Sequence, residues 1–180
     1  MCILMLISIL KVYGQQEMYN YCKVNNYNTE YYIYVDFSKS SASNRFCVYS
    51  FSEHKVILSC KCASGKNKRE FSNKIGSNLS SLGKYKIGKK RILKNVNGFG
   101  DISKWKIPCY ELHGLENSNN NAYKRGILIH PDPLLFNIPI PILLPNHSQG
   151  CFSIPESSFK KLDNILSKSK KPVLLVAFNK

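Results

Sequence analysis

A chain of 180 residues that is 43% hydrophobic and 21% charged can bury a core of its own, which excludes the disordered and collagen-like classes and makes one domain the default. Its 26 Lys and Arg outweigh 11 Asp and Glu to a formal charge of +15, a surface that attracts anions. No helix-turn-helix, zinc-finger or RNP-like pattern is present and the basic residues do not alternate with aromatics as a stacking platform requires, so nucleic acid is not the expected partner.

Cys2 to Leu10 is apolar except for Ser8, and Tyr13-Gly14-Gln15-Gln16 breaks the run. That is the pattern of a secretory h-region and cleavage site, so residues 1–15 are read as a signal peptide and the protein as exported to the periplasm or cell envelope. The alternative is a first core strand or helix. Nine helical residues reach about 14 Å, well short of the roughly 30 Å of hydrocarbon that a span must cross, so no stable membrane span is expected. Residues 16–34 are polar and rich in Asn and Tyr; Asn25, Asn26 and Asn28 favour turns, which suggests a loose lead-in.

From residue 35 to 180 the pattern becomes short apolar runs separated by turn residues, which argues for a mainly β domain. Arg45–Phe51 and Lys55–Cys60 flank a short loop and form a hairpin. A register with Phe51 opposite Val56 puts Cys47 opposite Cys60, as a cross-strand bridge or as two free buried thiols. Phe71–Ser77 and Leu79–Tyr85 alternate small polar residues, glycine and aromatics, suggesting twisted strands and tight turns. Lys84, Lys86, Lys89, Lys90 and Arg91 follow, either a solvated strand face or an anion site.

Gly126–His130 is a short apolar strand with a histidine at its end, placed to present a base at a cleft. Pro131, Pro133, Pro139, Pro141 and Pro145 exclude a helix or central strand across the next segment, whose intervening Leu, Ile and Phe residues suggest a stiff apolar lid or pocket wall. Phe159, Leu162, Ile165 and Leu166 recur at helical spacing, predicting an amphipathic helix over 156–167. Val173–Phe178 closes the chain as a buried strand.

Seven cysteines are present. No CxxC occurs, and Cys60-Lys61-Cys62 with a distant histidine is poor zinc spacing, so neither a metal nor an organic cofactor is expected. Cys151 follows Ser148-Gln149-Gly150, and a thiol after a glycine can sit on a tight turn whose backbone N–H groups form an oxyanion hole. A thiol of ordinary pKa, about 8.5, needs an imidazole to supply thiolate at neutral pH. His130 is the candidate base. His113, beside apolar residues, is its rival or a substrate contact; His147 would orient the turn or lie on the surface.

Ile127-Leu128-Ile129-His130, the connecting loop and Ser148-Gln149-Gly150-Cys151 together resemble the signature of the YkuD-type L,D-transpeptidases, closest to the murein L,D-transpeptidase branch. Ser72-Asn73, Gly76-Ser77 and Ser80-Ser81-Leu82-Gly83-x-Tyr85 resemble that branch's glycine-rich segment; Gly114-Leu115-Glu116, Asn121-Ala122 and Arg125 resemble its run into the histidine strand. The resemblance implies a YkuD-like β-sandwich or mixed sheets with one C-terminal helix. It also implies a monomeric enzyme acting on peptidoglycan stem peptides. Cys151 attacks the L-centre carbonyl of the third stem residue, His130 takes the thiol proton, and the Gly150 and Cys151 N–H groups hold the oxyanion. The thioester then passes to an amine, giving a 3→3 crosslink, or to water, giving carboxypeptidase activity.

Three positions depart from the family pattern: Pro131 after the histidine, Gln149 before Gly150, and Phe152-Ser153 where an arginine is frequent. Arg125 or the Lys84–Arg91 cluster would then supply the cation for substrate carboxylates, with His113, Glu116 and Tyr85 as further substrate contacts. Two other function classes are carried beside the enzyme: a peptidoglycan-binding module without turnover, and a basic polyanion-binding protein.

Overall fold

The computed structural model describes residues 14–65, 70–93, 106–135 and 148–179. An N-terminal helix over 14–24 (α1) is followed by strands β1 (Tyr31–Asp36), β2 (Phe46–Ser50), β3 (Lys55–Cys60), β4 (Gly83–Leu93), β5 (Ile107–Gly114), β6 (Leu128–Asp132) and β7 (Phe152–Pro155). Helix α2 (Glu156–Lys168) and strand β8 (Leu174–Phe178) complete the order. The strands form one mixed sheet in the order β3-β2-β1-β8-β4-β5-β6-β7. Two pairs are parallel, β1 with β8 and β6 with β7. The fold is the expected mainly β one with a C-terminal helix.

The last strand in sequence lies in the middle of the sheet, and its composition explains why. Leu175 and Ala177 enter the main core while Leu174 enters a second cluster on the other face. A strand buried on both faces reads as a continuous apolar run rather than an alternating one. On the main core side, α2 supplies Phe159, Leu162 and Leu166, the apolar stripe expected from its spacing. The Phe159 ring lies 6.1 Å from that of Tyr110 on β5. Beyond β3 the chain crosses to the far edge, where Ala63 bridges Ser153 and Gly65 bridges Ser148. The β7 edge is thereby covered at the point where Cys151 emerges, which removes an exposed row of backbone donors and acceptors.

Four local expectations change. Residues 14–24 are helical rather than loose: Tyr19 and Cys22 pack against a cluster of Tyr32, Tyr49 and Phe51, which offers α1 an aromatic surface that the polar composition of the segment hides. The β2–β3 hairpin forms, but a register shift at Val48/Tyr49 places Cys47 opposite Ser59 and Cys60 opposite Phe46. A one-residue slip sends the two thiols to opposite faces, and both are free cysteines. Residues 70–82 are irregular where strands were expected, with Gly76 and Asn78 at positive φ; only from Gly83 does the segment enter the sheet.

Finally, Pro131 lies inside β6 rather than ending it. β5 pairs with β6 only at Tyr110↔Ile129 and Glu111↔Leu128, while β7 continues alongside through Asp132↔Pro155. A residue without an N–H is tolerated there because it sits past the last β5 pairing. Residues 1–13 of the expected signal peptide and 136–147 of the expected lid, His147 included, lie outside the described residues.

Candidate active site

The turn that carries Cys151 is built by its own side chains. Ser148 Oγ accepts the Gly150 N–H at 3.1 Å and donates to the Cys151 carbonyl at 2.8 Å. Gly150 holds φ +109°, and a Cβ there would meet the Leu79 carbonyl oxygen at 2.7 Å and the Ile127 side chain at 2.8 Å. Glycine is required at this point both by the backbone angle and by the lack of space. Gln149 is exposed at the tip of the turn.

His130 stands in register with Ser153 across the parallel β6–β7 pair. Its Nδ1 is 2.9 Å from the Pro131 carbonyl, and Ser153 Oγ is 3.1 Å from Nε2. A carbonyl only accepts, so Nδ1 carries a proton, which in the neutral ring leaves the lone pair on Nε2. Ser153 is fully buried, and in that tautomer its hydroxyl donates to the lone pair. The neighbours of both residues on the strands, Ile129 and Phe152, are fully buried in the main core, so alternation turns His130 and Ser153 to the opposite face. Cys151, one residue ahead of β7, sits two positions before Ser153 and is half-buried.

The thiol is held in its neutral form. Burial pushes Cys151 up to about 11, while the Leu128 N–H and the Arg125 charge pull it back and Cys109 adds to the rise. Sγ points to the Gly126 carbonyl at 3.7 Å, a contact that suits a protonated thiol. The resting thiol is therefore protonated.

Arg125 does not reach outward. Nη1 donates to the Ser72 carbonyl at 2.6 Å and Nη2 to Ser77 Oγ at 3.1 Å and to the Leu79 carbonyl. Burial lowers its pKa, with Tyr85 and Cys151 opposing. It thereby fastens the 72–79 segment beside the start of the β6 run. Asn73 fastens the same segment from the other side: its Nδ2 donates to the Asn117 carbonyl and Asn120 Oδ1, and its Oδ1 accepts the Asn121 N–H. Ser80 completes the frame, accepting the Gly65 N–H at 3.0 Å and donating to the Gly150 carbonyl at 3.1 Å.

The remaining candidates stand elsewhere. Tyr85 is fully buried, its hydroxyl 2.7 Å from both the hydroxyl and the carbonyl of Ser81, and burial raises its pKa to about 12. Glu116 pairs with Lys84 at 2.9 Å. His113 stacks on Tyr123 with centroids 4.4 Å apart and bonds Glu111. The structure thus joins Cys151, Gly150 and Ser148 in one turn, sets His130 opposite Ser153 two positions past Cys151, holds Arg125 against the 72–79 segment, and leaves His113, Glu116 and Tyr85 to other contacts. Sequence reasoning missed Ser153 as the partner of the base and Ser80 as the bridge under Gly150. Ser153 had one legible signal, a small polar residue two positions past Cys151 between Phe152 and Ile154. Among the described residues no cluster of His, Cys, Asp and Glu could hold a metal ion.

A model of the L,D-transpeptidase catalytic domain family matches residues 9–176. A search of the curated proteins finds no match. Among solved structures, the helical cell shape determining protein Pgp2 of Campylobacter jejuni is similar at 16% identity and a TM-score of 0.50, over 84% of this chain and 49% of that one. A mutant of Pgp2 gives 17% identity and a TM-score of 0.53 over 86% and 49%. An Enterococcus faecium L,D-transpeptidase mutant gives 19% and 0.47 over 83% and 50%. At these identities the likeness concerns the fold, and the chain spans about half the length of these structures.

Proposed function

The chain belongs to the L,D-transpeptidase catalytic domain family, and on that premise we propose that it is an exported cysteine acyltransferase acting on peptidoglycan stem peptides, with Cys151 as nucleophile and His130 as base. The observation that carries this reading is the construction of the Cys151 turn: a glycine at φ +109° braced by Ser148 and Ser80, beside a strand histidine whose Nδ1–H faces a carbonyl and so leaves Nε2 to accept in the neutral ring. A cysteine kept only for packing needs none of that bracing.

In the proposed reaction Cys151 Sγ gives its proton to His130 Nε2 and attacks the carbonyl of the third stem residue. Because Ser153 Oγ occupies that lone pair at rest, its hydroxyl must rotate away as the proton arrives. The Gly150 N–H is committed to Ser148, so the Cys151 N–H is the first donor to the oxyanion, joined by Gly150 if Ser148 releases it. The imidazolium then protonates the departing D-alanine amine, leaving a thioester. An acceptor amine attacks that thioester to form the crosslink, or water attacks to leave a tripeptide.

Arg125 assists through its charge on the thiol and through the frame rather than by binding a substrate carboxylate. The test is incubation with a defined tetrapeptide muropeptide and chromatography of the products. Crosslinked dimer or tripeptide that disappears in Cys151→Ala supports the enzyme; retained binding to the muropeptide with neither product favours the wall-binding module instead.

A further inference from the structure

The strand that carries most of the chain's clustered charge divides its cations into two sets. Lys84 pairs with Glu116, Lys90 with Asp163, and Arg91 with Glu111. Lys86 and Lys89 make no ion pair with any described carboxylate, and the same holds for Lys170 and Lys171 in the turn between α2 and β8. These four lysines line one cleft of about 580 Å³.

The cleft has a structural cause. β4 shifts register between Ile87 and Lys90, a bulge that turns Gly88 and Lys89 away from regular pairing. A Cβ on Gly88 would meet His113 Nε2 at 2.5 Å, so only glycine leaves room for the imidazole stacked on Tyr123. The opposite wall is the 169–173 segment, fixed by the Ile87 N–H to Val173 carbonyl bond at 3.1 Å. Among the described residues Glu111 is the only carboxylate in the lining, and it is already shared by Arg91 and His113. None of Cys151, His130, Ser148, Gly150 and Ser153 lines this space.

We propose that this cleft binds a phosphate-bearing oligoanion. Like charges gathered in a concavity repel one another and are relieved by an anion of matching charge density. Ammonium groups are mobile point charges that follow phosphate oxygens without a fixed fork geometry, and the one arginine lining the cleft among the described residues is held by Glu111. A phosphate chain places a charge at every unit, which peptide carboxylates do not. The site stands apart from the transpeptidase reading and does not depend on it.

The test uses the full chain with inorganic tripolyphosphate by titration calorimetry and with phosphatidylglycerol vesicles by co-sedimentation. Replacing Lys86, Lys89, Lys170 and Lys171 together by Gln is compared with the same change at Lys23, Lys39, Lys55 and Lys161, which lowers net charge equally outside the cleft. Binding weakened roughly tenfold or more in the cleft variant, the sum expected of several exposed charge pairs, with the other variant close to the parent, supports the site. Tripolyphosphate binding alone assigns a soluble phosphate chain; vesicle binding that depends on the same lysines assigns a lipid headgroup. Equal weakening in both variants, or no binding of either probe by the parent, overturns it. Both variants are checked for unchanged circular dichroism and melting temperature, and single Lys→Gln changes replace any quadruple that fails to fold.

Discussion

Cys151 is a thiol that its surroundings keep protonated. Since burial raises it to about 11, alkylation by a small uncharged reagent in the free protein should be slow at pH 7 and climb as pH rises toward that value. Reaction at pH 7 as fast as that of an exposed cysteine would contradict the geometry. Replacing His130 by Ala removes the proposed proton acceptor and is expected to lower turnover by about 10²–10⁴-fold. Ser153→Ala removes one hydrogen bond to the base; a loss of roughly 3- to 10-fold in kcat at unchanged KM is the scale of one such bond, with a shifted acidic limb of the pH profile marking a positioning role. The Gly-Cys pair and the strand histidine were legible in the sequence because both are chemically conspicuous residues at the ends of apolar runs. Ser153 and Ser80 were not, because a serine is informative only when its partner is known, and those partners lie 23 and 70 positions away.

At the scale of elements, the 70–82 segment shows what periodicity could not supply. Its carbonyls are satisfied by the side chains of Arg125 and Asn121 rather than by a neighbouring strand, so alternating small residues there do not signal a strand. Arg125→Lys loses the fork that grips Ser72, Ser77 and Leu79. The expected cost is about 1.5–3 kcal/mol, the range for hydrogen bonds to a charged group, with faster amide exchange at Ser72 and Ser80; unchanged exchange would show that the segment stands without the clamp. Gly150→Ala forces a positive φ on a residue with no room for its Cβ, a strain of about 1–3 kcal/mol, and should reduce soluble enzyme or its melting temperature. The β2–β3 hairpin was legible as an element and misread in register, since the loop closes on Ser50↔Lys55 rather than Phe51↔Val56 and the irregularity at Val48/Tyr49 restores only part of the offset. α2 was read within a residue because one apolar stripe faces one core.

The whole molecule combines a strongly basic surface with a core that contains several un-ionised thiols. Burial raises Cys22 to about 11 and Cys62 to about 12, from an ordinary value near 9, and Cys60 further still. In the unfolded chain these thiols ionise first, so the native state holds the extra protons: stability is intact below pH 9 and falls as pH rises toward 11–12. Each such thiol contributes at most about 1.4 kcal/mol per pH unit over that window. Urea unfolding in reductant at pH 7, 9 and 11 measures the decline, and a flat profile would mean that the thiols are solvated. The central position of β8 and the coverage of the β7 edge by residues 63–65 are long-range facts that no local pattern encodes, yet they place the nucleophile turn. The most direct test of that turn as an acylation site is the intact mass of the protein during turnover of a tetrapeptide muropeptide. The account requires a muropeptide acyl adduct, minus D-alanine, that maps to Cys151 and fails to form in Cys151→Ala; no adduct on Cys151 while the parent still converts the muropeptide would contradict it.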